Sequence, residues 1–210
     1  KQSPSVLATM FSSHPMSSER RNTAAQLADT RYQTSAKAPV QRERFMDSIA
    51  SLRRIKPTIT ACQNGETAMA GKQYAQAQGA FEAALRQSPR DYAGHCRMAQ
   101  CLQAQNKARE ARQYAQQAQA IYPQEAQAHK LDGVLALGLR DPEAAFASLD
   151  RFDRQLPGDP GVLFLKGVSL EGMGQRQAAA QHYARFLRTN PQGQASQFAT
   201  SRLQAWGVLR

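Results

Sequence analysis

The chain has 210 residues, 41% of them hydrophobic and 20% charged, which suits one or two domains with a buried core. No apolar run reaches the ~20 residues of a membrane-spanning helix, the longest candidate being GVLALGLR at residues 133–140. The net charge of +11 is spread out, 10 Lys/Arg against 4 Asp/Glu in residues 1–57 and 17 against 12 thereafter, and scattered cations more often form a solvated exterior than a nucleic-acid site.

The chain opens on Lys1 with no apolar signal-peptide core behind it, so it is expected to be processed or cut from something larger, with any targeting signal outside it. Near the start stands FSSHPMSSERR, residues 11–21, in which a His-Pro pair precedes a helix start. A first helix is expected over SSERRNTAAQLADTRYQ, with Ser17 or Ser18 as its cap, and TSAKAP at 34–39 breaks it. A second, VQRERFMDSIASLRRI, is expected from Val40 to Ile55. It gathers Phe45, Met46, Ile49 and Leu52 on one face with basic residues opposite, a stripe expected to be core or a dock for the helices beyond Thr58.

From Thr58 onward the sequence keeps a fixed beat. Prolines stand at 89, 123, 157 and 191, each 34 residues from the last. Overlaying residues 58–91, 92–125, 126–159 and 160–193 aligns further columns. Column eight reads Gly65, Ala99, Gly133 and Gly167; column twenty reads Ala77, Ala111, Ala145 and Ala179. Column twenty-four reads Phe81, Ala115, Leu149 and Tyr183, and column twenty-seven Ala84, Ala118, Phe152 and Phe186. A unit of this length holds two helices and two turns. The small residues let the helices approach, the larger ones fill the gap to the next unit, and proline ends each second helix. Asp91 and Asp159 fall where the following helix wants an N-cap. Column seven departs from an apolar pattern, with Asn64, Met98, Asp132 and Lys166. Residues 194–207 read as one further helix, on which Trp206 packs over the last open face.

This pattern resembles the tetratricopeptide repeat (TPR). The resemblance implies an all-α, right-handed solenoid of about four helix pairs plus a C-terminal capping helix, preceded by two connector helices. It divides the chain into a leading segment at 1–34, a connector helix at 35–57, four repeats at 58–193 and a capping helix at 194–210. In such arrays the first helix of each pair lines a concave face, through columns two, five, nine and twelve. Those columns give Ile59, Cys62, Glu66 and Met69; Ala93, Cys96, Gln100 and Gln103; Gln127, Lys130, Val134 and Leu137; and Gly161, Phe164, Val168 and Glu171. With Arg97 from column six, they form a candidate groove for an extended or helical peptide carrying apolar side chains. A docked helix from the same polypeptide is the alternative occupant. The Lys and Asn pattern that grips a carboxyl-terminal tail in TPR cochaperones is not met.

FSSHPMSSERR also resembles the His-Pro segment near the end of HtpX/BepA-like zinc metalloproteases, a family marked by HExxH whose Gram-negative periplasmic members carry C-terminal TPR arrays. The resemblance covers roughly residues 4–31 by motif, and the remainder by the order of protease end, connector and repeats. It implies a zinc endopeptidase parent whose protease domain ends in residues 1–34, a periplasmic or envelope location, and a role in recruiting substrates or outer-membrane assembly partners. His14 would then lie near the zinc, contacting substrate or serving as an extra ligand, and Arg20 would anchor the loop or stabilise developing charge. The plain alternative is a rigid His14-Pro15 loop that Arg20 supports. No HExxH occurs in the chain, and none of His14, His95, His129 and His182 is four residues from another, so no catalytic zinc or other cofactor is expected here. His95 and His129 share column four and are expected to pack between helices, while His182 is expected to be solvated. Cys62, Cys96 and Cys101 have no metal-ligand spacing, and no bridge is expected between the latter two. A stand-alone TPR adaptor and a basic nucleic-acid-binding repeat remain as alternatives.

Overall fold

The computed structural model describes residues 17–39 and 41–209, and those residues contain helices and no strand. His14 and Val40 therefore lie outside the described residues. The chain separates into two units with the boundary after Ala50. In the first, α1 (Ser17–Thr30) leads into a short 3-10 turn (Gln33–Lys37) and then α2 (Arg42–Ser48). α1 buries none of its described side chains, and at its end Arg31 lies 5.8 Å from the centre of the exposed Tyr32 ring.

The connector is not one helix from Val40 to Ile55. It stops at Ser48, whose hydroxyl donates back to the Arg44 carbonyl at 2.7 Å, a local bond that competes with continued helix. Its apolar stripe is not core either: Phe45 and Leu52 are exposed, and Met46 and Ile49 are only half-buried. α3 then starts at Ala50 and runs unbroken through Pro57 to Ala70, so it supplies both the approach to the first repeat and that repeat's first helix.

The remaining helices keep the sequence period. α4 (Tyr74–Gln87), α6 (Ala108–Ile121), α8 (Pro142–Gln155) and α10 (Arg176–Thr189) are the second helices of the four pairs. α5 (Tyr92–Ala104), α7 (Ala126–Gly138) and α9 (Pro160–Gly172) are first helices like α3, and α11 (Gln194–Ala205) closes the stack. Each second helix ends just before a pre-proline position. Ser88, Tyr122, Leu156 and Asn190 all adopt φ near −136° and ψ near 80°, because the next proline bars the helical region to them. Asp91, Asp141 and Asp159 cap α5, α8 and α9, accepting from Gly94, Ala144 and Val162 at 2.6, 3.2 and 3.1 Å.

The turn inside each pair is closed by the same backbone hydrogen bonds in all four copies. Lys72, Asn106, Arg140 and Gly174 occupy one column with φ of 56°, 62°, 59° and 75°. In every copy the residue after it donates to the carbonyl five back, as Gln73 does to Ala68 and Asp141 to Ala136, giving four Schellman motifs. Glycine is not required for this, since three of the four copies hold a side chain in the left-handed region.

Pairing within a repeat rests on matched sizes at columns eight and twenty-four. A Cβ added to Gly65 would sit 2.4 Å from Phe81, one on Gly133 2.6 Å from Leu149, and one on Gly167 2.6 Å from Tyr183. In the second repeat both partners are alanine, Ala99 and Ala115, and both are fully buried. The alanines of column twenty, Ala77, Ala111, Ala145 and Ala179, are likewise fully buried. At the end of the stack Trp206 stacks on Tyr183 at 6.1 Å, and Leu203 and Ala199 of α11 complete the last core cluster. The outer face of α11 bears Gln197, Ser201 and Gln204, all exposed, in columns that the earlier repeats bury at every position but Ala61.

Two of the three polar residues of column seven, Asp132 and Lys166, are buried in ion pairs, while Asn64 is exposed. Asp132 accepts from Arg112 Nε at 3.0 Å and from Ser148 Oγ at 2.5 Å, and Arg112 also reaches Asp141 at 2.8 Å. Lys166 donates to Asp150 and Asp153 at 2.8 and 2.9 Å, above the Phe146 ring. These contacts tie α6 to α7 and α8, and α8 to α9. The hydrogen bond from Lys166 holds the Asp150 carboxyl below the usual carboxylate range, and that from Arg112 does the same for Asp141.

Gly133→Ala should destabilise the array by about 1–3 kcal/mol through overpacking, and Leu149→Ala by about 2–5 kcal/mol. In the double variant the added methyl enters the vacated space, so urea unfolding should show a loss smaller than the sum of the two. A carboxylate depressed in the folded state contributes stability above its unfolded pKa of about 3.9 and loses it as pH falls through the folded value. Melting temperature should therefore drop below about pH 4, and more shallowly in Lys166→Met, where Asp150 has lost the partner that depresses it.

Candidate functional site

The first helices form the inner row of the array, α7 touching both α5 and α9 directly. Along that row columns two, five, nine and twelve face outward from the core: none of the sixteen residues predicted there is fully buried. Where α5 and α7 run side by side they enclose a depression of about 280 Å³, lined by Cys96, Gln100, Gln103, Gln127, Lys130, Leu131 and Val134. Most of these are groove candidates of the second and third repeats. Leu131, from column six, is an addition that the column pattern did not single out.

The charged members of the row are engaged within the chain. Arg97 pairs with Glu66 at 2.6 Å and reaches Gln100 at 3.1 Å, so the first and second repeats share one bridge across the face. Both side chains of this pair are close to half exposed, a setting in which an ion pair contributes about 1 kcal/mol or less. Lys130 binds Asp159, the cap of α9, and sits 5.3 Å from the centre of the Phe152 ring. Burial alone would raise the Asp159 carboxyl, but Lys130 and the Val162 amide outweigh it and leave it below its ordinary value. In the fourth repeat, Phe164 packs on Tyr183, Phe186 and Phe198 at 5.3–5.8 Å. Glu171 accepts from Tyr183 at 2.8 Å and pairs with Arg202. The apolar half of the predicted row therefore supports α11 as well as facing outward; Val168 joins the same cluster and Leu137 the one before it. Met69 packs, half-buried, beside the core of the first two repeats.

His95 and His129 occupy equivalent places. Each is buried, and each turns Nε2 to the carbonyl of the preceding turn's proline, Pro89 at 2.9 Å and Pro123 at 3.2 Å. They join neighbouring repeats rather than face the groove. His182 is half-buried rather than solvated, and burial with nearby Lys166 pushes its pKa down. Arg20 is exposed on α1. Among the described residues no group of His, Cys, Asp and Glu could hold a metal ion, and no helix is long and apolar enough to cross a membrane.

A second, larger depression of about 580 Å³ lies between α10 and the end of α11, lined chiefly by Arg176, Ala180, Ala184, Ala205, Trp206 and Val208. In earlier repeats the same columns reach the next unit: Gln78 receives from Gln105, and Arg112 reaches Asp132 and Asp141. Alanine at 180 and 184 leaves that space open. The signal lay in the sequence as two small residues in columns otherwise held by Gln, Arg, Phe, Glu and Asp.

The described fold is a tetratricopeptide-repeat solenoid. The chain matches the tetratricopeptide repeat family over residues 68–133 and again over 162–193. Among solved structures it is similar to MamA, with a TM-score of 0.66 at 15% identity over 73% of this chain and 84% of that one. It is also similar to MamA 41-end from Desulfovibrio magneticus RS-1, at 0.68 and 13% over 73% and 87%. A third is YrrB, described as a TPR protein with an unusual peptide-binding site, at 0.64 and 15% over 78% and 84%. At such identities the likeness is one of fold. Comparison with curated proteins returned no match.

The cysteines of the row provide a chemical check. Burial pushes the Cys62 and Cys96 thiols up from their ordinary value, so both are neutral and poor nucleophiles near pH 7. Alkylation by iodoacetamide, followed by mass spectrometry across pH, should accelerate only above the range of a free thiol; a midpoint at or below that range would contradict this environment.

Proposed function

We propose that the inner row holds protein or peptide partners, with the depression between α5 and α7 as its centre. The observation that carries this reading is the convergence of Cys96, Gln100, Gln103, Lys130 and Val134 on one exposed concavity, in a fold whose core is complete without them. Amide side chains at Gln100, Gln103 and Gln127 can each donate to and accept from a peptide backbone, while Val134 and Leu131 offer apolar contact. The bridge between Glu66 and Arg97 is weak enough for a ligand to exchange.

We further propose that this array serves a zinc-dependent protease of the HtpX/BepA-like kind in the envelope of a Gram-negative bacterium, presenting substrates or assembly partners to it. Support comes from FSSHPMSSERR standing ahead of a TPR stack, in the order that family uses. In that setting His14 lies near the zinc and Arg20 steadies the segment. The second reading, a TPR adaptor acting without a protease, is supported by the neighbours. This chain spans 84% of both MamA and YrrB, and YrrB is described as a TPR protein.

Selection of displayed peptides on the chain should yield binders that Val134→Glu weakens by about tenfold or more while circular dichroism stays unchanged. Peptides that bind both forms alike would place recognition elsewhere. The complete coding sequence separates the two readings of context. An HExxH upstream of Lys1, with proteolysis altered by His14→Ala, supports the protease; a gene without HExxH removes it.

A further inference from the structure

Ion pairs clip consecutive first helices together across the inner row. Glu66 of α3 pairs with Arg97 of α5, Lys130 of α7 with Asp159 at the cap of α9, and Glu171 of α9 with Arg202 of α11. Among the described residues no such pair joins α5 to α7 on this face, and that is the junction where the depression of about 280 Å³ lies. Amides stand there instead. Gln100 and Gln103 project from α5 and Gln127 from α7, all three exposed. Gln100 accepts from Arg97 at 3.1 Å, which leaves its own N–H groups free. The side chains of Gln103 and Gln127 make no hydrogen bond among the described residues.

The charges of the row select the partner. Its charged members, Glu66, Arg97, Lys130 and Glu171, all lie within these ion pairs, so the row is neutral in a chain that carries +11. Around Cys96, Arg97 is opposed by Glu125 and Asp91, which favours neither sign of charge. A ligand's charge entering the depression would lose water and meet no free counter-charge, or would strand one member of an existing pair. A peptide main chain, by contrast, offers one N–H and one C=O per residue. An extended segment leaves those groups open to the amides, whereas a helix satisfies them internally. We propose that the depression between α5 and α7 takes an extended, uncharged segment of a partner protein. Its main chain hydrogen-bonds to Gln100, Gln103 and Gln127 in place of the missing ion pair, and one apolar side chain sits on Cys96, Leu131 and Val134. This inference rests on the groove reading above and names its partner class.

The test uses the full chain and the peptides selected by display, resynthesised with acetylated and amidated ends so that the termini carry no charge. An alanine scan of each peptide should place uncharged residues at the positions that matter most. Their Kd by calorimetry should change less than about twofold between about 50 and 500 mM NaCl, a range over which charge attraction is screened away. N-methylation of the central peptide bond deletes one main-chain donor and should weaken binding by about fivefold or more. Gln103→Ala/Gln127→Ala, a pair of exposed substitutions, should do the same with circular dichroism unchanged. If Val134→Glu weakens peptides whose decisive residues are charged and whose affinity falls steeply with salt, the uncharged partner is overturned and the groove stands. If N-methylation and the glutamine pair both leave affinity unchanged, main-chain recognition at this junction is overturned. If Val134→Glu has no effect, or no peptide binds, the groove reading itself falls and this inference with it.

Discussion

The array depends on how closely two helices of one repeat can approach at a single crossing point. Column eight supplies the space and column twenty-four fills it: glycine faces Phe81, Leu149 or Tyr183, and alanine faces alanine in the second repeat. Because protein interiors are close-packed, the pair acts as one unit, and a change on one side must be answered on the other. The chain varies the residue at each position while never setting two large ones against each other. Each helix pair can thus close to short range, and a solenoid built from such pairs advances unit by unit.

Specificity between repeats has a different source. Where an apolar stripe could slide by a turn, Asp132 and Lys166 cannot, because each has partners at fixed places on the adjoining helices. Removing a partner would leave a charge buried, so these contacts penalise wrong registers more than they stabilise the right one. The repeated histidine bonds to Pro89 and Pro123 act in the same direction, joining α5 and α7 to the turns that precede them.

Much of this was legible in the sequence. The spacing of prolines, and the exclusion of the preceding residue from helical conformations, put the ends of the second helices where the structure has them. Asp91 and Asp159 were readable as caps, and the TPR resemblance put Cys96, Gln100 and Val134 on one face of the first helices, where they line one depression. What escaped notice needed partners distant in sequence. Column seven looked like poor packing until Arg112, Ser148 and Asp150 were placed beside it, and His182 gave no sign of the burial that surrounding helices impose. The first repeat was expected to begin after residue 57, yet α3 runs through that point with Pro57 in its interior, where the ring has no N–H to donate to the Arg53 carbonyl. The open space beside Trp206 came from two alanines whose meaning depends on what the other repeats put there.

The within-pair turns have a consequence for the electrical character of the molecule. The hydrogen bonds that close them join main chain to main chain, so the left-handed position itself needs no particular side chain. Lys72, Lys107, Arg140 and Arg176 stand at these turns. Turns closed by main chain are where a chain can carry surplus cations without disturbing its interior.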